Sequence, residues 1–244
     1  LAEATIILIV IIALAYFGYV FIAGGLNAGE KKKVAVIFLL ITAAAVFWSG
    51  FEQHGSSFNL FARDFTNRNI LGWEVPATWF QSINPFFLIT LAPVFGAIWI
   101  KLAARNLNPR TPIKFALGLI LVGVGFLLMY VAAGIASEGL KAGSFFLIFA
   151  FFLHTCGELC LSPVGLSTMT KLAPKRYVSQ MMGMWFVGTA AGNLVAGLVA
   201  GKFNPEDLEQ MPNLFMNFVY SGVGVGLLLI LLSPILRKWM DDVH

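Results

Sequence analysis

The chain has 244 residues, of which 59% are hydrophobic and only 11% charged, with a formal net charge of +4. Soluble domains run at about 45–50% apolar and about 25% charged, so these few charges could not cover a water-soluble globule of this size. The excess of Lys and Arg is therefore no nucleic-acid footprint, and its meaning lies in its position relative to a membrane.

Seven apolar stretches are long enough to cross a hydrocarbon core, which takes about 20 helical residues. The first predicted helix covers 4–26. It is too long for the apolar core of a signal peptide and lacks a basic leader or clear cleavage site, so it is expected to span the membrane. Because the chain starts on Leu1 and not on a methionine, and on the predicted outer side, this helix is expected to lie inside a longer polypeptide whose N-terminal part precedes Leu1. The second helix, 34–56, follows a polar break from Asn27 to Lys33. A long connection, 57–75, mixes polar residues with Phe58, Phe61, Phe65 and Trp73 and is expected at a membrane interface. The third helix, 76–100, carries Gln81-Ser-Ile-Asn-Pro85. Helical spacing puts Gln81 and Asn84 on one face, and Pro85 is expected to free a backbone carbonyl one turn earlier.

The fourth helix, 113–136, follows the break from Asn106 to Pro112. The fifth, 143–170, holds Gly157, Pro163 and Gly165 close to Glu158. Such residues are expected to loosen a helix, and loosened helices at membrane depth can line a binding cavity. Cys156 and Cys160 lie one turn apart on this helix, poorly placed for disulfide geometry, and read as small buried hydrophobes. The sixth helix, 179–201, repeats Gly188, Gly192, Ala196 and Ala200 at four-residue spacing, and the seventh, 213–236, has Gly222 and Gly226. Small residues so spaced allow close helix packing. A β-barrel is excluded, because its strands alternate apolar and polar residues over about ten positions and these runs are continuous.

Charge alternates between the connections. Lys31, Lys32, Lys33, Lys101, Arg105, Arg110, Lys114, Lys171, Lys175, Arg176, Arg237 and Lys238 form one set. Arg63, Arg68, Lys141 and Lys202, with the acids Asp64, Glu74, Glu138, Glu206, Asp207 and Glu209, form the other. The positive-inside rule puts the first set and the C-terminus in the cytoplasm.

Ionisable groups at membrane depth are costly and usually functional, and two carboxylates stand out. Glu52 has Trp48, Ser49 and Ser56 on its helical face. Glu158 has His154, Thr155 and Ser162 on its own. Both polar stripes are expected to look into a bundle interior or a wet cavity. A purely structural ion pair is the competing reading for the two acids, interhelical hydrogen bonding for Gln81 and Asn84, and packing for Trp48 and Trp185. The spacing of His154 and Glu158 is not that of a zinc protease, so no metal site is expected. Ser162 and His154, two turns apart, make no convergent catalytic set.

The motifs Phe51-Glu-Gln-x-Gly-Ser-Ser57, Gln81-Ser-Ile-Asn-Pro-Phe-Phe87, Gly157-Glu-Leu-Cys-Leu-Ser-Pro-Val-Gly-Leu166 and Met182-Gly-Met-Trp-Phe186, in this order and register, resemble the proton-dependent oligopeptide transporter (POT) family of the major facilitator superfamily. The resemblance implies an all-α integral membrane fold. Residues 31–244 would form the six-helix C-terminal bundle and residues 1–30 a peripheral linker helix, with the N-terminal bundle absent from this chain. The family's Glu-x-x-Glu-Arg signature and a lysine of its fourth helix belong to that absent half.

The implied function is proton-coupled symport of di- and tripeptides by alternating access in the cell membrane. Its partners would be peptides, protons, the lipid bilayer and the missing bundle, with no nucleic acid and no cofactor beyond the coupling proton. Glu158 would meet the peptide ammonium, helped by the amide oxygen of Asn84. Trp48, Trp185 and Ser162 would line the side-chain pocket, with Gln81 and Gln53 as further candidates for the same cavity. Glu52 would pair with an arginine of the absent half and, with Gln53 and Glu158, serve proton coupling and gating. The alternatives are a major-facilitator carrier for another small solute such as nitrate, and an intramembrane enzyme.

Overall fold

The computed structural model describes residues 2–201 and 210–240. Lys202, Glu206, Asp207 and Glu209 of the second charge set lie outside them. In chain order the helices are α1 (Ala2–Ala23), α2 (Ala28–Phe51), α3 (Ser57–Asp64), α4 (Ile83–Ala104), α5 (Thr111–Ser137), α6 (Ser144–Leu172), α7 (Val178–Ala200) and α8 (Met211–Met240). Two 3-10 turns, Glu52–Gly55 and Ala77–Ser82, close α2 and lead into α4. Seven of the helical segments are long and apolar enough to cross a membrane, as the hydropathy runs predict. The fold is a major-facilitator six-helix bundle preceded by one peripheral helix.

Two local expectations are corrected. The stretch from Asn27 to Lys33 is not a break. Asn27 caps α2, its Oδ1 accepting from Glu30 N at 2.8 Å while Glu30 Oε2 accepts from Asn27 N at 2.9 Å. This reciprocal capping box starts the helix at Ala28 and places Lys31, Lys32 and Lys33 within it. Pro85 falls in the first turn of α4, where a missing N–H breaks no helical ladder; it loosens nothing at mid-membrane. In the connection after α2, Phe58 and Phe61 of α3 are buried, at 1% and 0% exposed. They plug one end of the bundle and pack on Phe126 and Phe215, whereas Trp73 stays exposed.

Close backbone approaches build the core. A Cβ on Gly157 would sit 2.7 Å from the Gly118 carbonyl, and one on Gly118 2.9 Å from that of Gly157. Here α5 and α6 touch backbone to backbone, so Gly157 is a packing contact and not a hinge. Gly165 likewise lies under the Trp185 indole. Helix α6 runs unbroken from Ser144 to Leu172 with Pro163 inside it. The small stripe of α7 seats on α2, where a Cβ on Gly192 would meet the Ala45 carbonyl at 2.5 Å and the Trp48 Cβ at 2.8 Å. Gly222 and Gly226 of α8 approach α5 in the same way. Without a hydrophobic drive between helices in lipid, such contacts and interhelical hydrogen bonds hold a bundle together.

The connections sort by charge in space as well as in sequence. Arg176 Nη2 donates to Gly25 O at 2.5 Å and lies 4.0 Å from Glu30, joining the turn before α7 to the start of α2. Arg110, Lys114 and Arg237 surround one recess. At the other end, Thr66–Asn67 pairs in parallel with Ala142–Gly143, tying the connection after α3 to the α5–α6 turn. Helix α4 buries no residue. Helix α1 buries Phe17 and Val20, touching α2 through Phe17–Phe38 and α7 through the Tyr16–Gln180 hydrogen bond.

Candidate functional site

The polar face is assembled from the end of α2, the start of α4 and the middle of α6. Asn84, in the first turn of α4, reaches across to α6. Its Nδ2 lies 3.0 Å from Thr155 Oγ1 and 3.5 Å from Glu158 Oε2. The Thr155 hydroxyl donates its own proton to the Phe151 carbonyl at 2.8 Å, so Oγ1 can only accept from the asparagine. That fixes the amide orientation: Nδ2 faces α6, and Oδ1 accepts no hydrogen bond among the described residues. The 3.5 Å contact is at the limit of a hydrogen bond, so Thr155 anchors Asn84 and Glu158 stands beside it. Glu158 is half-buried, and its carboxyl is within Coulombic range of Glu52. Sequence reasoning named all four residues; what it lacked was the role of Thr155 in orienting the amide.

Glu52 stands at the junction where α2 tightens into a 3-10 turn. It is half-buried, and its carboxylate has no hydrogen bond or ion pair among the described residues. The tightened turn removes Ser56 from its α-helical face, and the Ser56 hydroxyl reaches back to Gln53 Oε1 at 3.4 Å. Ser49 is buried and donates to Val46 O at 2.7 Å. Trp48 remains beside Glu52, half-buried, with an indole N–H that is buried and finds no partner among the described residues. Ser162 is half-buried one turn beyond Glu158.

Three other candidates sit apart from this face. Gln53 is 0% exposed. Its Nε2 donates to Ala196 O at 3.1 Å and Ser49 O at 3.3 Å, while its Oε1 accepts from the Ser57 hydroxyl at 2.7 Å. It clamps α2 to α7, and its hydrogen-bonding capacity is spent there. Trp185 is 2% exposed, laid over Gly165 and set edge-on to Phe115, and is core in this chain. Gln81 belongs to the 3-10 turn ahead of α4 and is exposed, so it does not share the α-helical face of Asn84.

His154 does not join the Glu158 face either. It is 0% exposed and turned toward α5, its Nε2 3.0 Å from Val122 O and its Nδ1 2.8 Å from His54 Nε2. A carbonyl only accepts, so Nε2 of His154 carries the proton and Nδ1 accepts from His54. The pair sits among Phe51, Phe58, Phe126 and Phe151 and joins α2 through α6 to α5. Sequence reasoning missed it. The available signal was that the chain has three histidines, two of them inside apolar segments where a polar group must find a partner.

Comparison with known proteins adds to this geometry. The family model described as POT family matches residues 6–217. The chain is 42% identical over 231 residues to the peptide transporter YePEPT of Yersinia enterocolitica, covering 94% of this chain and 45% of that protein. It is 30% identical over 239 residues to a di-/tripeptide transporter of Lactococcus lactis, covering 96% of this chain and 47% of the relative. A crystal structure of a peptide transporter POT variant in complex with alafosfalin superposes with a TM-score of 0.89 at 34% identity, covering 99% of this chain and 48% of that one. The chain thus spans about half the length of the curated relatives it matches. With a family model covering most of its helices and a shared fold from end to end, this chain belongs to the POT family.

Proposed function

We propose that this chain is the C-terminal half of a proton-coupled symporter of di- and tripeptides, working by alternating access with an N-terminal bundle that completes the site. Residues 1–30 act as a peripheral linker helix and residues 31–244 as the bundle. The observation that carries the reading is the Asn84–Thr155–Glu158 arrangement, a carboxylate beside an amide group whose oxygen accepts no hydrogen bond among the described residues. A peptide ammonium needs acceptors of this kind, and relatives named as peptide transporters share the family and the fold. Glu52, which has no cation of its own among the described residues, supplies a second carboxylate within Coulombic range; a basic residue of the other bundle is its partner. Trp48 and Ser162 border the side-chain pocket.

A proton or a peptide shifts two rocking states only by binding one of them better. Two carboxylates that exchange a proton, an ammonium and a basic partner supply that difference. The membrane is the cell membrane, with the basic connections and the C-terminus facing the cytoplasm.

The test uses the complete transporter. Glu158→Gln keeps the volume and an acceptor oxygen but removes the charge. A hydrogen bond to a charged group contributes about 1.5–3 kcal/mol, and about 1.4 kcal/mol is tenfold in affinity. Dipeptide binding should weaken roughly ten- to a hundredfold by these figures, while an N-acetylated dipeptide, lacking the ammonium, should lose far less. A mutant that binds the free dipeptide as tightly as wild type would make Glu158 a structural carboxylate and remove the centre of this proposal.

A further inference from the structure

The 3-10 turn that closes α2 sends three consecutive side chains three ways. With about three residues per turn, neighbours in such a turn project about 120° apart. Gln53 reaches α7 at the Ala196 carbonyl, His54 reaches α6 at the His154 ring, 2.8 Å away, and Glu52 is left on the polar face. On α6, His154 lies one helical turn before Glu158, and Glu158 is within Coulombic range of Glu52. The imidazole contact therefore joins the two elements that carry the carboxylates, two residues from one and four from the other.

Helix α5 is shaped to receive this contact. A Cβ on Gly125 would come within 2.4 Å of His154 Cδ2 and 2.5 Å of its Nε2, so any side chain there would displace the ring that reaches Val122 O at 3.0 Å. Burying polar atoms among phenylalanines costs free energy unless their hydrogen bonds are made, and two apolar side chains could fill the same space without that cost. What the imidazoles add is direction. Apolar burial is non-directional, whereas a hydrogen bond holds its two heavy atoms to within about 0.5 Å and a narrow range of angle. We infer that His54 and His154 are positioning residues for peptide binding: they hold the Glu52 turn against α6 and so fix how strongly the charge at Glu52 is felt by a peptide ammonium on Glu158. These roles presuppose the carboxylate site proposed above.

Dipeptide affinity is measured by titration calorimetry on the purified full-length transporter at one fixed pH, with and without Glu52→Gln. In the otherwise wild-type protein Glu52→Gln should weaken binding by about fivefold or more, the lower end of couplings between linked sites, because the ammonium loses the second carboxylate. In His54→Phe, which keeps the aromatic packing and removes the donor, the same step should change affinity by less than about twofold. His54→Gln, whose amide N–H can donate to His154 Nδ1, should restore the wild-type factor, an outcome that general loosening of the bundle does not produce. Gly125→Ala displaces the ring while keeping both histidines; it should give the small factor of His54→Phe, and it serves should that variant fail to fold. An undiminished factor in His54→Phe or in Gly125→Ala overturns the positioning role, as does a loss that His54→Gln leaves unrestored. A Glu52→Gln step without effect in the otherwise wild-type protein overturns it too, while the peptide site itself stands or falls separately by Glu158→Gln.

Discussion

Uncoupling His54 from His154 tests whether the buried imidazole chain holds the turn that closes α2 to α5 and α6. The chain has two links, 2.8 Å between the rings and 3.0 Å to Val122 O. In His54→Phe the aromatic surroundings are kept, but His154 Nδ1 loses its donor. In His154→Leu the His54 N–H loses its acceptor, and the Val122 carbonyl loses the donor it has from outside its own helix. A buried polar group left unpaired costs about 1–3 kcal/mol, so the first variant should lose about that much and the second more. Within bilayers interhelical pairs measure less, about 0.6 kcal/mol on average and about 1.7 at most, because the unfolded chain also finds partners. In the double variant neither imidazole is left waiting for the other. It should therefore be more stable than the sum of the single losses implies, by a coupling of about 1 kcal/mol, or roughly fivefold in the unfolding equilibrium at 25 °C. Reversible unfolding of the full-length protein in mixed micelles measures all four corners of the cycle. Additivity within about 0.3 kcal/mol would refute the pairing as an energetic link, whatever the distance between the rings.

Gln53→Leu should destabilise the protein by about 1–3 kcal/mol, since the Ser57 hydroxyl loses its acceptor and the Ala196 carbonyl its donor from outside α7, while the fraction that stays folded keeps its peptide affinity. Unchanged stability with weakened peptide binding would return Gln53 to the ligand cavity. Lys32→Cys, in a transporter otherwise free of reactive cysteines, should react with an impermeant maleimide only from the cytoplasmic side; labelling from outside intact cells would invert the proposed orientation.

The helices were legible because hydropathy is local. A run of apolar residues specifies a membrane helix without reference to any other segment. The four-residue stripe of α7 likewise revealed the face that seats on α2. Ends were harder to read. Asn27-Ala-Gly-Glu30 is a capping signature, but its lysines drew the boundary six residues late. At Glu52 nothing in Glu-Gln-His-Gly demands a 3-10 turn, so Ser56 was carried onto a face that the tightened backbone does not form. Partners were illegible. His54 and His154 are 100 residues apart, and Gln53 and Ala196 are 143 apart; no period within one helix encodes either contact.

Periodicity also blurs faces. Residues four apart on a helix point about 40° from each other and residues three apart about 60° the other way, so His154 and Thr155 flank Glu158 on opposite sides. The neighbouring helices decide which flank is core. Helix α5 takes His154 through Val122 O, and α4 takes Thr155 through Asn84, leaving Glu158 between them. The same distinction separates the candidates engaged in the core from those left on the polar face. Gln53 and His154 are buried with their hydrogen-bonding groups engaged, and Trp185 is packed on glycine. Glu52, the Asn84 Oδ1 and the Trp48 N–H carry polar capacity that no described residue uses. In a medium where unmet hydrogen bonds cost several kcal/mol, polar groups left unpaired by their own bundle belong where something else arrives to meet them.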